Sequence, residues 1–425
     1  MHCLLVGAVS LTICLPQEPA RETVADDWRA FRGTHGTATS ESRVPIAWDD
    51  LENIAWELPL PGPGSSSPVV VGDRVFVTCW SGYAAGAESS PDVKNLRRHL
   101  LCIHRDTAEI LWSAEVPPAA TEDQFGGRMA THGYASSTPV SDGEHVYVFF
   151  GKAGVHAFDL DGKKLWQADV GGGSSEWKTG SGSSPALFRD LLFINASDES
   201  HSLRALSRKT GELVWERATP ALDQAYGTPV LATGAGDPVL LLALLGEIWA
   251  LAPSTGEPRW TLSTRTNGAL APTIVRDGDV FYSFGGQTTE RSHAIRLGDV
   301  DGDSGERLLW SSREGTYVST PLLTDGHLYW VDDGGVARCA KSETGELIYK
   351  ERLGGSFYAS PVRAGDAIYA VSRSSGTYVL PAEPRFEILA HNRLESDDTL
   401  FDGTPAVSRG QLFLRSGRSL YCIEE

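Results

Sequence analysis

Apolar and polar residues alternate in short runs along almost the whole chain, and the runs come in sets. The stretches "SPVVVGDRVFVTC", "TPLLTDGHLYWV" and "TPAVSRGQLFLRS" each place a Pro at the head of a run, then a turn rich in polar residues and Gly, then a second run. A period of two marks a strand with one buried face, and the turn between two such runs marks a hairpin. Proline is tolerated at a first strand position because no ladder donor is needed there. Each set continues with a small residue, a polar turn on Thr-Gly-Glu or a near variant, and a last run ending in an aromatic. Examples are "ALSRKTGELVWE", "ALAPSTGEPRWT", "CAKSETGELIYK" and "CIHRDTAEILWS". Every set therefore predicts four strands.

The strand-opening prolines are Pro68, Pro139, Pro185, Pro229, Pro272, Pro321, Pro361 and Pro405, spaced by 71 residues once and by 40–49 thereafter. That period belongs to the four-stranded blades of a β-propeller. The aromatic ending the fourth strand is Trp112, Trp166, Trp215, Trp260, Trp310 and Tyr349 in turn, and the seventh set has only the weaker "RFEILAHNRL". The eighth set stops at "LYCIEE", one strand short. Its missing strand is predicted at the other end of the chain, in "NIAWELPL" with Trp56. Pairing the two termini in one blade seals the ring and removes exposed edges. The expectation is an all-β, eight-bladed propeller closed by residues 53–60, with seven blades as the alternative. The turn glycine and the strand-end tryptophan are expected to pack against each other between blades.

Composition narrows the partners. With 37 basic against 55 acidic residues the formal charge is -18, a surface that repels phosphate backbones and anionic headgroups, so nucleic acid is excluded as a partner class. The opening "MHCLLVGAVSLTICLPQEPARE" has an apolar run from Cys3 to Leu15, then Pro16 and Ala20, and resembles a secretory signal peptide. The domain reading is a signal segment at 1–20, an N-terminal extension at 21–52, and one propeller at 53–425. An exported, periplasmic or cell-envelope location follows. A lipid anchor is disfavoured because Ile13, rather than a small residue, precedes Cys14. No later run is long enough to span a membrane. Cys102, Cys339 and Cys422 occupy the position that other repeats fill with Ala157, Ala205 and Ala250, so cysteine reads as a small packing residue. A bridge between Cys79 and Cys102, on neighbouring strands, is the alternative.

The recurring A-x-D/S-x-x-T-G-E-x-x-W pattern resembles the repeat of pyrroloquinoline quinone (PQQ) propellers. That group contains the quinoprotein alcohol dehydrogenases and the non-enzymatic, BamB-like outer-membrane assembly factors. The opening "DWRAFRGTHGTATSESRVPIAWDDLENIAWELPLPGPGSSSPVV" and the closing "LFLRSGRSLYCIEE" are similar to a PQQ-like family abundant in planctomycete bacteria. The resemblance implies a propeller and an envelope location. In the quinoprotein branch it would also imply PQQ between a Trp and a disulfide of adjacent cysteines, with calcium on Glu, Asn and Asp. This sequence has no Cys-Cys pair, so no cofactor is expected, and PQQ with calcium stands as the alternative.

Candidate chemistry is sparse. "GDVDGDSGE" carries Asp299, Asp301 and Asp303, alternating carboxylates that could hold calcium, but Ser304 and Trp310 depart from the calcium-loop pattern and a solvated acidic turn is the stronger reading. His99, Cys102 and His104 offer zinc ligands without a fourth. Signature motifs of hydrolases, zincins and phosphate loops are missing. The most suggestive residues precede the strand-opening prolines: Tyr134, Tyr226, Tyr317, Phe357, Tyr358 and Phe401. Loops at that place line one mouth of a propeller, where aromatics could seat a flat ligand or an apolar segment of a partner. Longer loops at 117–136 and 171–184 would bring Arg128, His132, Glu176, Trp177 and Lys178 to the same face. Rings that plug the funnel and pack against the next blade are the bland alternative. The functional expectation is a non-catalytic envelope scaffold that binds another envelope protein or an extended peptide, through this mouth and the loop at 81–100. A PQQ- or metal-dependent oxidoreductase and a carbohydrate-binding propeller are the alternatives.

Overall fold

The structure, a computed structural model, describes residues 26–86, 90–125, 132, 134–175, 180–232, 237–286, 291–297 and 307–425. Its strands form eight sheets arranged as the blades of a propeller, each a four-stranded meander, with one sheet enlarged to five. Seven of the eight prolines stand directly before the first strand of a blade; Pro272 lies three residues before Val275. The blades run 69–116, 140–168, 186–218, 230–263, 275–312, 322–352 and 362–392, and the eighth combines 406–423 with the strand Ile54–Pro59. That strand pairs antiparallel with Ser419–Ile423, setting Trp56 opposite Cys422 and Leu58 opposite Leu420. The predicted closure is present. Among the described residues no helix is long and apolar enough to cross a membrane.

The repeat is explained by one row of side chains. Cys102 faces Phe76 on one side and Trp112 on the other. Ala205 lies in the same way between Phe193 and Trp215, and Ala294 between Tyr282 and Trp310. The flanking rings come within 5.8–6.0 Å of each other, centroid to centroid, across the small residue. A larger side chain there would push the rings apart, so Ala and Cys are interchangeable and nothing bigger recurs. Directly beside this row a bulge leaves one residue of the outer strand unpaired, as between Ala205 and Leu206. The bulged residue ahead of the Trp projects outward, which is why Leu111, Leu165, Val214 and Leu309 are exposed.

Each Trp then reaches the next blade. The Nε1–H of Trp56, Trp112, Trp166, Trp215 and Trp310 donates to the carbonyls of Arg105, Leu160, Arg208, Pro253 and Ser342 at 2.8–3.0 Å. Four of these rings, all but Trp56, lie over the turn glycine of that blade: a Cβ on Gly211 would come within 2.5 Å of Trp166, and on Gly256 within 2.6 Å of Trp215. The expected packing pairs exist, and the glycine is required both by contact and by a positive φ of 76° and 72°. All four described cysteines are free and buried. The alternative of a Cys79–Cys102 bridge fails for a simple reason. Cys79 stands opposite His99 and Cys102 opposite Phe76, an odd offset that turns their side chains to opposite faces of the sheet.

The segment ahead of the closing strand forms a strap across one end of the axial channel. Trp28 exchanges two backbone hydrogen bonds with Val70 of the first blade, and Arg29 accepts from Ser141 of the second. The chain then crosses the axis. Its strand Thr39–Ser40 adds in parallel to Val362–Ala364 of the seventh blade. The fully buried Arg32 guanidinium donates to the carbonyls of Thr320 and Pro321 at 3.1 and 2.8 Å. Beyond the strap, Trp48 stacks on Tyr369.

Candidate functional site

Around the axis the blades are joined by a ring of hydroxyls. The backbone N–H of Ser67 donates to Thr138 Oγ1 at 3.0 Å, that of Thr138 to Ser184 Oγ, and that of Ser184 to Thr228 Oγ1. The relay continues through Thr273, Thr320 and Ser360 to Thr404, each step 2.9–3.1 Å. Seven of these eight residues directly precede a strand-opening Pro; in the fifth blade the order is reversed, Pro272 then Thr273. Seven hydroxyl oxygens, from Thr138 to Thr404, thereby satisfy an N–H that the strand ladder cannot reach.

Above the ring the channel opens into a cavity of about 330 Å³. Its second tier comes from the residues two before each hydroxyl, because alternation turns both side chains to the axis. That tier is Ser65, Ser136 and Gly182 in blades one to three, and Tyr226, Ala271, Val318 and Tyr358 in blades four to seven. Asp402 stands alone in the eighth. His132 and Tyr317 complete the wall, and Phe31 of the strap forms the floor. Phe31 also lines a cavity of about 520 Å³ on the strap side, so it is a septum between the two ends of the channel. The mouth is a blind pit, polar on one half and aromatic or aliphatic on the other.

One corner is fixed by charge. Arg373 lies 4.0 Å over the Tyr358 ring and holds Asp402 at 2.6 Å, while His132 packs on the same Tyr358 at 5.5 Å between centroids. Burial opposes the charge of Arg373, but the Asp402 carboxylate outweighs it and holds the guanidinium above its ordinary value. The loop carrying Gly180 and Gly182 is tethered from below, where Ser181 Oγ donates to Glu199. Glu199 is wholly buried, and that burial pushes its carboxyl up to about 7.

Of the residues expected at the mouth, His132, Tyr226, Tyr317 and Tyr358 line it. Tyr134 does not: it is buried beside Trp80 and Phe125, donates to the Asp123 carbonyl at 2.7 Å, and lies under Arg98. Phe357 packs against Tyr378 inside its blade, and Phe401 stacks on Tyr421. For these three the packing alternative describes their place. Arg128, Trp177, Glu176 and Lys178 lie outside the described residues, as do Asp299, Asp301 and Asp303 of the acidic turn. His99 bonds the Ser81 hydroxyl at 2.7 Å. Among the described residues no group of three His, Cys, Asp or Glu side chains is set to hold a metal. The hydroxyl ring and the strap floor were not anticipated. The hydroxyl before each Pro carried a signal for the ring; nothing periodic marked Phe31.

A quinone with calcium does not suit this lining. The described wall offers one carboxylate, Asp402, already paired with Arg373, and the four described cysteines are buried within the blades rather than at the mouth.

Comparison with known proteins agrees with the geometry. A family model described as outer membrane protein assembly factor BamB matches residues 23–173 and 96–342. The BamB of Burkholderia pseudomallei is 27% identical over 344 residues, covering 75% of this chain and 76% of that protein. That of Legionella pneumophila is 28% identical over 208 residues, 45% of this chain and 48% of that one. The serine/threonine-protein kinase AfsK of Streptomyces griseus is 25% identical, over 77% of this chain and 45% of the kinase. Among solved structures, BamB of Moraxella catarrhalis superposes with a TM-score of 0.61 at 14% identity, covering 87% of this chain and 99% of that one. The quinohemoprotein alcohol dehydrogenase of Comamonas testosteroni gives 0.62 at 12% identity, covering 95% and 81%. These two likenesses are to the fold. The matched length, the repeat and the closed eight-bladed ring together establish that this chain belongs to the PQQ-like propeller family whose model is described as outer membrane protein assembly factor BamB.

Proposed function

We propose that this chain is a non-catalytic propeller of the cell envelope that seats a partner protein, or an extended peptide, in its mouth. The observation that carries this reading is the two-sided pit: a ring of hydroxyls below, tyrosines on one half-wall, small polar residues on the other, and Phe31 as its floor. A surface of that kind suits an inserted uncharged side chain with an apolar face. Relatives whose names describe outer membrane protein assembly support a partner in the envelope. The long first hairpin, with strands Arg74–Ser81 and Arg97–His104, supplies a second contact beside the mouth.

The test places a photo-crosslinking residue at Val318 in the native envelope. A discrete protein adduct is expected, and it should weaken when Tyr226→Ala and Tyr317→Ala are combined. Two results would replace the reading. One is a quinone absorbance band that survives gel filtration after incubation with PQQ and calcium. The other is saturable glycan-array binding that Tyr317→Ala abolishes.

A further inference from the structure

Buried oxygen acceptors without partners are rare in folded proteins, because their desolvation is not recovered. Among the described residues, every buried carboxylate or amide oxygen without a hydrogen-bond partner falls in one seam: Asn195 Oδ1, Asp198 Oδ1 and Asp223 Oδ1. The Ser197 hydroxyl, wholly buried and also without a partner, belongs to the same stretch. The seam runs between the turn after strand Leu191–Ala196 of blade three and the segment that enters blade four. Asn195 Nδ2 donates to the carbonyls of Ala225 and Gly227 at 2.6 and 3.2 Å, and the Thr219 N–H donates to the His201 carbonyl at 3.0 Å. Both segments are therefore held against each other.

The donor set has a definite character. Asn195 is fully buried and Asp198 is 3% exposed. Asp198 also accepts from Ser175 Oγ at 2.9 Å and from the Gly180 N–H, and the charge of Asp223 acts on it directly. No ion pair among the described residues includes either aspartate. Two carboxylates, an amide oxygen and a hydroxyl, with no nitrogen or sulfur donor, make a hard-cation set. An irregular array drawn from a turn and a loop suits calcium, which accepts variable geometry, better than magnesium, which demands an octahedron. None of the four residues lines the mouth, so the seam is separate from the partner site.

We propose that the seam between blades three and four is a binding site for one hard divalent cation of the calcium class, held by Asn195, Ser197, Asp198 and Asp223. The ion cross-links the blade-three turn to the segment that carries Tyr226 into the mouth wall. It gives the two aspartates a counter-charge that no ion pair among the described residues supplies.

The whole chain, stripped with EDTA and dialysed, is titrated with calcium chloride while heat and melting temperature are followed. One site per chain and a calcium-dependent rise in melting temperature are expected. Asp223→Asn, at the half-buried carboxylate, should weaken calcium binding by about tenfold or more, and so should Asp198→Asn. If Asp198→Asn does not fold, Asp223→Asn decides alone. The combined Asp299→Asn and Asp301→Asn variant of the acidic turn is the control and should bind as the parent does. Absence of calcium-dependent heat and stabilisation overturns the proposal. So does binding that Asp223→Asn leaves intact, or binding lost only in the acidic-turn control.

Discussion

At the residue scale, the recurring glycine and tryptophan are two halves of one contact. Gly211 has a φ of 76° and lies under Trp166, whereas Gly326 has a φ of 73° with open space around it. Alanine at Gly326 meets only the left-handed backbone penalty, about 1–2 kcal/mol. Alanine at Gly211 meets that penalty and also the ring, so it should cost about 1–3 kcal/mol more. Urea unfolding of the two variants separates the terms, and equal losses would show that the ring yields freely. The hydroxyl ring makes a second residue-scale forecast. Thr320→Val keeps the shape but leaves the buried Thr273 N–H without its acceptor, a loss of about 1–3 kcal/mol in the same assay.

At the element scale, the blades were legible because their cause is local. Most set a small residue beside the strand-end aromatic and a glycine under the next tryptophan, and both leave letters in the sequence. The mouth was half legible. Tyr226 and Tyr358 stand two residues before a hydroxyl and turn to the axis; Tyr134, four before Thr138, shares that phase yet packs beside Trp80 and Phe125. Phe357 and Phe401 are out of phase and turn into their blades. Tyr317 is also out of phase yet lines the cavity, so distance from the proline alone could not sort them. Reading the prolines as strand starters hid the hydroxyls beside them, and the reversed order at Pro272 and Thr273 blurred the repeat further. The strap left no trace because its contacts are made once each, by Trp28, Phe31 and Arg32, with no period to reveal them.

The closing blade adds a pH dependence at this scale. Asp397 is buried, which opposes ionisation, yet the hydroxyls of Ser416, Thr399 and Tyr421 and the Thr399 amide hold its carboxyl below the usual range. A carboxyl depressed in the fold stabilises it above the unfolded value and loses that contribution as pH falls through the folded one. The melting temperature should fall on acidification, and Asp397→Asn should flatten that acid limb when melting is followed against pH.

At the scale of the whole molecule, stability rests on a single closure between distant ends of the chain. Trp56 pairs with Cys422, packs on Phe413 at 6.0 Å and bonds the Arg105 carbonyl of blade one. Truncation to alanine keeps the strand pairing but removes the ring contact and the indole hydrogen bond, and about 3–5 kcal/mol should be lost. Because each blade leans on its neighbours, the loss should appear as a lower midpoint of one transition rather than as a separate early step; two resolved transitions in calorimetry would show that the ring tolerates a gap. Phe31→Ala tests the septum in the same way. It should join the two cavities while leaving the blades intact, measurable as entry of a small apolar dye from the strap side.

The closing strand also sets a timetable. Ile54–Pro59 is made long before its partner Ser419–Ile423. Throughout synthesis, and through any passage across a membrane, that early strand has a bare edge and no native neighbour on it. A pairing between such remote segments must also wait for the slow search that long loops impose. The finished wheel hides its edges well, but the growing one cannot, and its period of greatest exposure to misassembly ends only when Ser419–Ile423 arrives.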